Sequence, residues 1–286
     1  MKRYAVAALI AGSVLRPASN LRAQDAGNEV RTRQLWDTNL LKQRAQASHK
    51  PGASSKAVPA TGDNLIGVTL WRYRSSRPQD APAVRMLVHE PDTGKDEDFT
   101  PERCEADTAL QVGQKVRLSI ESARTGFLYV VDRERYADGS FGDAELIFPT
   151  QRTHRGDNRV QAGQLIDIPA NGEGLFTIER RRKDLIAEEL TVLVSPQPIA
   201  GLSIGPKALP VTKEQLAEWR KNWGATVKQL EEPGQAGNKL TAAEKQAAEK
   251  GAPLTDADAL PQTMFQVQAR PGSPLMVTVP LKIQGN

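Results

Sequence analysis

The sequence predicts a mainly β chain: a β-sandwich-like (Ig-like) domain with a C-terminal helical elaboration and a terminal β-hairpin. Three observations lead there. Between Leu110 and Ser195, short apolar runs alternate with turn residues at the spacing of successive strands. Within Lys115–Glu121, apolar Val116, Leu118 and Ile120 alternate with Lys115, Arg117, Ser119 and Glu121. That period of two puts one face in a core and the other in water. After Pro210 the apolar spacing changes to three- and four-residue steps, the mark of a helix.

Taken in order, the chain opens with Met1-Lys2-Arg3, continues apolar through Tyr4–Leu15, and reaches Leu21-Arg22-Ala23. A charged start, a short apolar run and a small residue at the cut describe a secretory signal peptide, residues 1–23, cleaved near Ala23. The apolar run is shorter than the roughly 20 residues a bilayer crossing needs, so no transmembrane segment is expected in the mature chain. The expected location is periplasmic or secreted. Export also reinterprets the charge. The chain carries 38 basic and 34 acidic residues, but four of the basic ones, Lys2, Arg3, Arg16 and Arg22, lie in the leader. The remaining balance is 34 against 34, which gives nucleic-acid binding no support. With Cys104 as the single cysteine, no internal disulfide is available, and an isolated structural thiol is preferred over a reactive one.

Residues 24–63 read as a polar arm and flexible linker, with Leu35, Trp36, Leu40 and Leu41 as the arm's apolar set. The 36, 40 spacing suits one helical face, and Ser48–Asp63 is rich in Ser, Ala, Pro and Lys. Residues 64–210 form the β-rich domain. Strands are expected at Leu65–Arg74, Val84–His89, Lys115–Glu121 and Phe127–Val131, then at 145–148, 164–168, 174–178 and 190–195. The acidic Glu90–Asp107 segment, with Pro91, Gly94 and Pro101, reads as surface loop.

Residues 211–286 are expected to pack on that domain as amphipathic helices plus C-terminal strands. Thr212 and Gln215 have capping-box spacing, and Leu216, Trp219, Trp223, Val227 and Leu230 form one stripe. Thr241 and Glu244 repeat the box before an Ala- and Lys-rich helix that Gly251 stops. Strands close the chain at Met264–Ala269 and Leu275–Ile283, the latter at a sheet edge because Pro280 cannot donate to a ladder.

Gly201-Leu202-Ser203-Ile204-Gly205 matches the serine-hydrolase elbow, which needs a strand before the Ser and a helix after it. Pro206 follows at once and no helix starts before about residue 212, so a small-residue connector is preferred, and a hydrolase using Ser203 is the weaker alternative. Asp132, Asp138, Asp143 and Glu145 surround the turn Ala-Asp-Gly-Ser-Phe-Gly-Asp, where a tight Asp138-Gly139 turn is preferred over calcium binding. No metal, cofactor or catalytic set is expected.

The run Val116-Arg-Leu-Ser-Ile, Gly126-Phe-Leu-Tyr-Val-Val, Tyr136-Ala-Asp-Gly-Ser, Leu146-Ile-Phe-Pro-Thr, Gly156-Asp-Asn-Arg-Val and Leu193-Val-Ser-Pro-Gln-Pro resembles the bacterial domain of unknown function 4384 (DUF4384), over residues 99–200. The resemblance implies a β-rich accessory or sensing module without enzyme activity. The expected role is a non-catalytic binding, accessory or structural module of the cell envelope, with a protein or envelope ligand as partner. Loops on a rigid β scaffold commonly carry function. The first ligand candidates are therefore Tyr136, Asp138 and Asp143 in one loop, and Arg152, His154, Arg155 and Asp157 in another. Trp219 and Trp223 are read as packing against the β domain, with a partner-binding face as the alternative.

Overall fold

The computed structural model describes residues 64–90, 94–252, 254–255 and 257–284. The expected leader, arm and linker lie outside these residues. Two antiparallel sheets face each other. The first is built on β1 (Leu65–Ser75), which runs between β4 (Lys115–Ser122) on one side and β14 (Thr263–Val267) and β3 (Lys95–Cys104) on the other. It extends through β2 (Met86–Glu90) beside β3, β9 (Leu165–Ile168) and β10 (Phe176–Thr177) beside β4, and β13 (Val227–Glu231) beside β14.

The second sheet centres on β5 (Gly126–Asp132) and β11 (Leu185–Ser195), which pair from Phe127↔Ser195 to Val131↔Thr191. β7 (Ala144–Phe148) and β8 (Arg159–Val160) flank β5, β12 (Leu209–Val211) extends β7, and β6 (Glu134–Tyr136) and β15 (Leu275–Lys282) join β11. Ile66, Val68, Leu118 and Ile120 from the first sheet meet Leu128, Val130, Val192 and Val277 from the second, all nearly inaccessible. The β-sandwich expectation is therefore met.

β14 and β15 do not form the expected hairpin. The turn at 270–274 carries the chain across the sandwich, so the two strands complete opposite sheets. Leu110 N–H donates to Lys282 O, while Ile283 N–H donates to Ile186 O. Backbone groups of one strand alternate sides, so even-numbered residues of β15 turn away from β11. Pro280 thus sits where its missing N–H breaks no ladder bond, at the edge as the sequence requires.

Three other expectations need correction. Glu90–Asp107 is not all loop: β3 occupies Lys95–Cys104, where Phe99, Thr100, Arg103 and Cys104 are buried on the two faces of the strand while Lys95–Asp98 stay exposed. The polar face of β4 is not in water. Arg117, Ser119 and Glu121 are as buried as its apolar residues; Ser119 and Glu121 line a small hollow with Glu244 of α2 (Ala242–Lys250) and the chain after it, and Arg117 lies over the Tyr73 ring. They are tolerated because they are bonded: Trp71 Nε1–H donates to Ser119 Oγ at 2.7 Å, and Ser119 donates to Asp167 at 2.5 Å. Arg117 stands 3.6 Å from the same carboxylate, and Arg103 pairs with Glu244 of α2.

Finally, the helical stripe ends early. α1 spans Lys213–Trp223 and stops at Gly224, where a Cβ would lie 2.3 Å from Arg220 O. Val227 and Leu230 belong to β13, where they pair with β14. The caps follow the sequence: Thr212 Oγ accepts from Gln215 N–H, Thr241 and Glu244 form a full capping box, and Gly251 ends α2 at φ 64°. No helix among the described residues is long and apolar enough to cross a membrane.

Candidate binding cleft

α1 covers the outer face of the second sheet. Leu216 and Trp219 pack with Tyr129, Val131, Leu146 and Leu193, and Trp219 stacks on Trp223 with centroids 5.6 Å apart. Trp219 is 5% exposed and Trp223 half-buried, so the expected packing against the β domain is what the helix does with its tryptophan stripe.

Where α1 begins, the helix meets the turn after β6 and leaves a cleft of about 340 Å³. Its walls are apolar: Phe141, Ala144, Leu216 and Ala217. Three cations stand around them, Arg133, Lys213 and Arg220. Strand alternation explains the arrangement. Val130 faces the inner core and Val131 the helix, so Arg133, two residues beyond Val131, also faces the helix. Glu189 of β11 lies opposite through paired backbone bonds between Arg133 and Glu189. Its Oε1 accepts from Arg133 Nε at 3.0 Å and from Arg220 at 2.8 Å.

One carboxylate thus serves two guanidiniums, with Lys213 exposed beside them, leaving a formal +2 from three cations and one anion. Burial, reinforced by the charges of Arg220 and Arg135, lowers the Arg133 pKa against the support of Glu189. The guanidinium also lies 3.6 Å above the Phe141 ring, which holds that half-exposed aromatic in place. Apolar walls under excess positive charge suit an anion with an apolar body.

The other face of the same strands carries the opposite sign. Asp132 and Glu188 alternate with Arg133 and Glu189, and Asp132 sits across from Glu145, Glu188 across from Glu134. Burial first, then the neighbouring carboxylates, push Asp132 up to about 6 and Glu188 up to about 8, with Arg181 as the opposing cation.

The first predicted loop borders the cleft through Ser140 and Phe141, but its named residues have structural partners. Tyr136 is buried, its hydroxyl bonded to Glu134 and its ring covered by Arg182 at 3.7 Å; the Glu134 bond pushes the phenol up to about 12. Asp138 accepts from Ser140 N–H at 2.8 Å and Oγ at 2.5 Å, which lowers its pKa and closes the turn at Gly139, φ 83°. Asp143 is exposed.

The second loop lies at the far end of β7, so the two candidate loops do not converge. There His154 stands edge-on to Phe148 and its Nε2 lies 2.8 Å from Asp167 O. Asp157 pairs with Arg159, while Arg152 and Arg155 are exposed. Ser203 is exposed in the connector from β11 to β12, followed by a strand where the hydrolase elbow requires a helix. Cys104 is buried at the end of β3, and burial pushes its thiol up to about 11.

Sequence reasoning missed Arg133, Glu189, Lys213 and Arg220. Lys213 and Arg220 are seven residues apart, two helical turns, which was a legible signal of one face. The Arg133–Glu189 pairing depends on strand register, which sequence does not display. No protein-family model, curated protein or solved structure matches the chain.

Proposed function

We propose that this chain is an exported, non-catalytic binding module of the bacterial cell envelope, of the accessory type to which the DUF4384 resemblance over residues 99–200 points, and that the cleft between α1 and the 138–143 turn is its binding site. The ligand class is an anionic group joined to an apolar body, such as an acidic apolar peptide or an acyl carboxylate. The observation that carries this reading is the apolar cleft ringed by Arg133, Lys213 and Arg220 with Glu189 as the one paired carboxylate.

The test uses anilinonaphthalene sulfonate, a fluorescent apolar anion. Titration of the chain should give saturable one-site binding that weakens with salt. Lys213→Glu and Arg220→Gln should each reduce affinity about five-fold, equivalent to roughly 1 kcal/mol per exposed charge contact. Binding indifferent to both substitutions and to salt would overturn the assignment.

A further inference from the structure

The outer edge of β15 already takes up a neighbour once in this chain. Leu110 lies along it as an isolated parallel bridge: its N–H donates to Lys282 O at 2.8 Å, and its C=O accepts from Gln284 N–H at 2.8 Å. Those outward groups belong to even-numbered residues, because β15 bonds β11 through its odd ones. Met276 and Thr278 present the same groups further along the edge, and among the described residues no backbone hydrogen bond meets them from that side. Pro280 has no N–H to offer and separates this open stretch from the part that Leu110 covers. Two N–H and two C=O groups thus await a strand, the arrangement that edge-pairing ligands use.

Beside this stretch lies a second hollow of about 360 Å³, between Val227 of β13, Phe265 of β14, and Met276 and Thr278 of β15. Val227 and Thr278 are exposed at its mouth. Arg220 lines both this hollow and the cleft, and it is the only charged residue that lines the hollow. We propose that an extended acidic peptide of a partner protein adds to β15 at Met276–Thr278, with apolar side chains in the hollow and a carboxylate at Arg220. The assignment rests on the reading of the cleft as a binding site and narrows its ligand to a peptide. An acyl carboxylate has no backbone for the edge, whereas a peptide satisfies edge, hollow and guanidinium together. The charge agrees in sign: three cations against the single carboxylate of Glu189 favour an acidic strand.

The test is fluorescence anisotropy of a labelled, end-capped peptide of alternating Val and Asp titrated with the chain. Binding should saturate, and Arg220→Gln should weaken it about five-fold. Methylating the peptide's backbone nitrogens removes N–H donors while keeping every side chain and charge. Because alternate N–H groups of a strand face opposite edges, methylating one set, Val or Asp, should weaken binding about tenfold, and methylating the other set should not. Thr278→Pro removes an outward N–H that β11 does not use and should weaken the peptide likewise; the methylated peptides decide on the unaltered chain even if that variant fails to fold. Absence of binding, or binding indifferent to both methylated sets or to a folded Thr278→Pro, overturns the strand addition. If Lys213→Glu still weakens the sulfonate dye in that case, the cleft stands without it. If the dye is indifferent as well, the cleft reading has failed too.

Discussion

Trp219→Ala separates a packing role for α1 from a partner-binding one. The side chain is 5% exposed, and it joins Tyr129, Val131, Leu193 and Met276 in the layer between helix and sheet. A buried Trp removes about 150–250 Å² from water, worth roughly 4–6 kcal/mol at 25 cal/mol/Å² as an upper limit. Truncation also opens a cavity and forfeits the stacked contact with Trp223. Measured Trp→Ala losses of about 3–5 kcal/mol set the expected size. Trp223 is only half-buried, so Trp223→Ala should cost about 1–2 kcal/mol by the same area scaling. Urea unfolding followed by far-UV circular dichroism reads both without depending on tryptophan fluorescence. In a thermal scan the Trp219 loss corresponds to a fall of about 6–20 °C for a domain of this size. A Trp219→Ala protein within 1 kcal/mol of the parent, or one more stable than Trp223→Ala, would refute the packing argument.

Other outcomes follow from the buried charges. Asp132 and Glu188 titrate in the folded protein at about 6 and about 8, above ordinary carboxylate values near 4. The folded state therefore holds more protons; this contribution is complete below about pH 4 and is lost as pH rises through 6 and 8. Thermal melts should show Asp132→Asn/Glu188→Gln gaining stability relative to the parent at pH 9 but not at pH 4; a pH-independent difference would refute the raised pKa values of the two buried carboxyls. Arg103→Met leaves Glu244 buried without its guanidinium and removes the 2.6 Å bond to Leu260 O, so urea unfolding should show a loss of about 3–5 kcal/mol. A loss below 1 kcal/mol would show that the network beneath α2 is dispensable. Gly224→Ala forces a Cβ to 2.3 Å from Arg220 O and should cost about 1–3 kcal/mol in the same assay; an unchanged midpoint would mean that α1 ends for another reason.

Much of the sandwich was legible because its strands obey local rules. The period of two in Val116–Ile120, the continuous apolar run Phe127–Val131 and the Asp138-Gly139 turn each carry their own signal. β3 was not legible: its Lys95–Asp98 start is mostly acidic and exposed, and its buried set is partly polar, with Thr100 and Arg103. The burial of Arg117 and Ser119 was likewise hidden, since only tertiary packing shows that Trp71 and Asp167 satisfy them and that Tyr73 lies against Arg117. α1 was over-extended because Val227 and Leu230 continue a helical spacing, while Gly224 and the β14 edge end the helix. The site was read from loops, yet its charges come from Arg133 at the end of β5 and from one face of α1. The Tyr136–Asp143 loop does border the cleft, through Ser140 and Phe141 rather than through its named candidates, and loop composition did not show the cations around it.

The most direct measurement of the central claim is amide chemical-shift mapping of the chain titrated with anilinonaphthalene sulfonate. The largest shifts should cluster at Phe141, Ala144, Leu216 and Arg220 and disappear in Lys213→Glu/Arg220→Gln. Shifts centred on the Arg152–Arg159 loop, or spread without a centre, would contradict it.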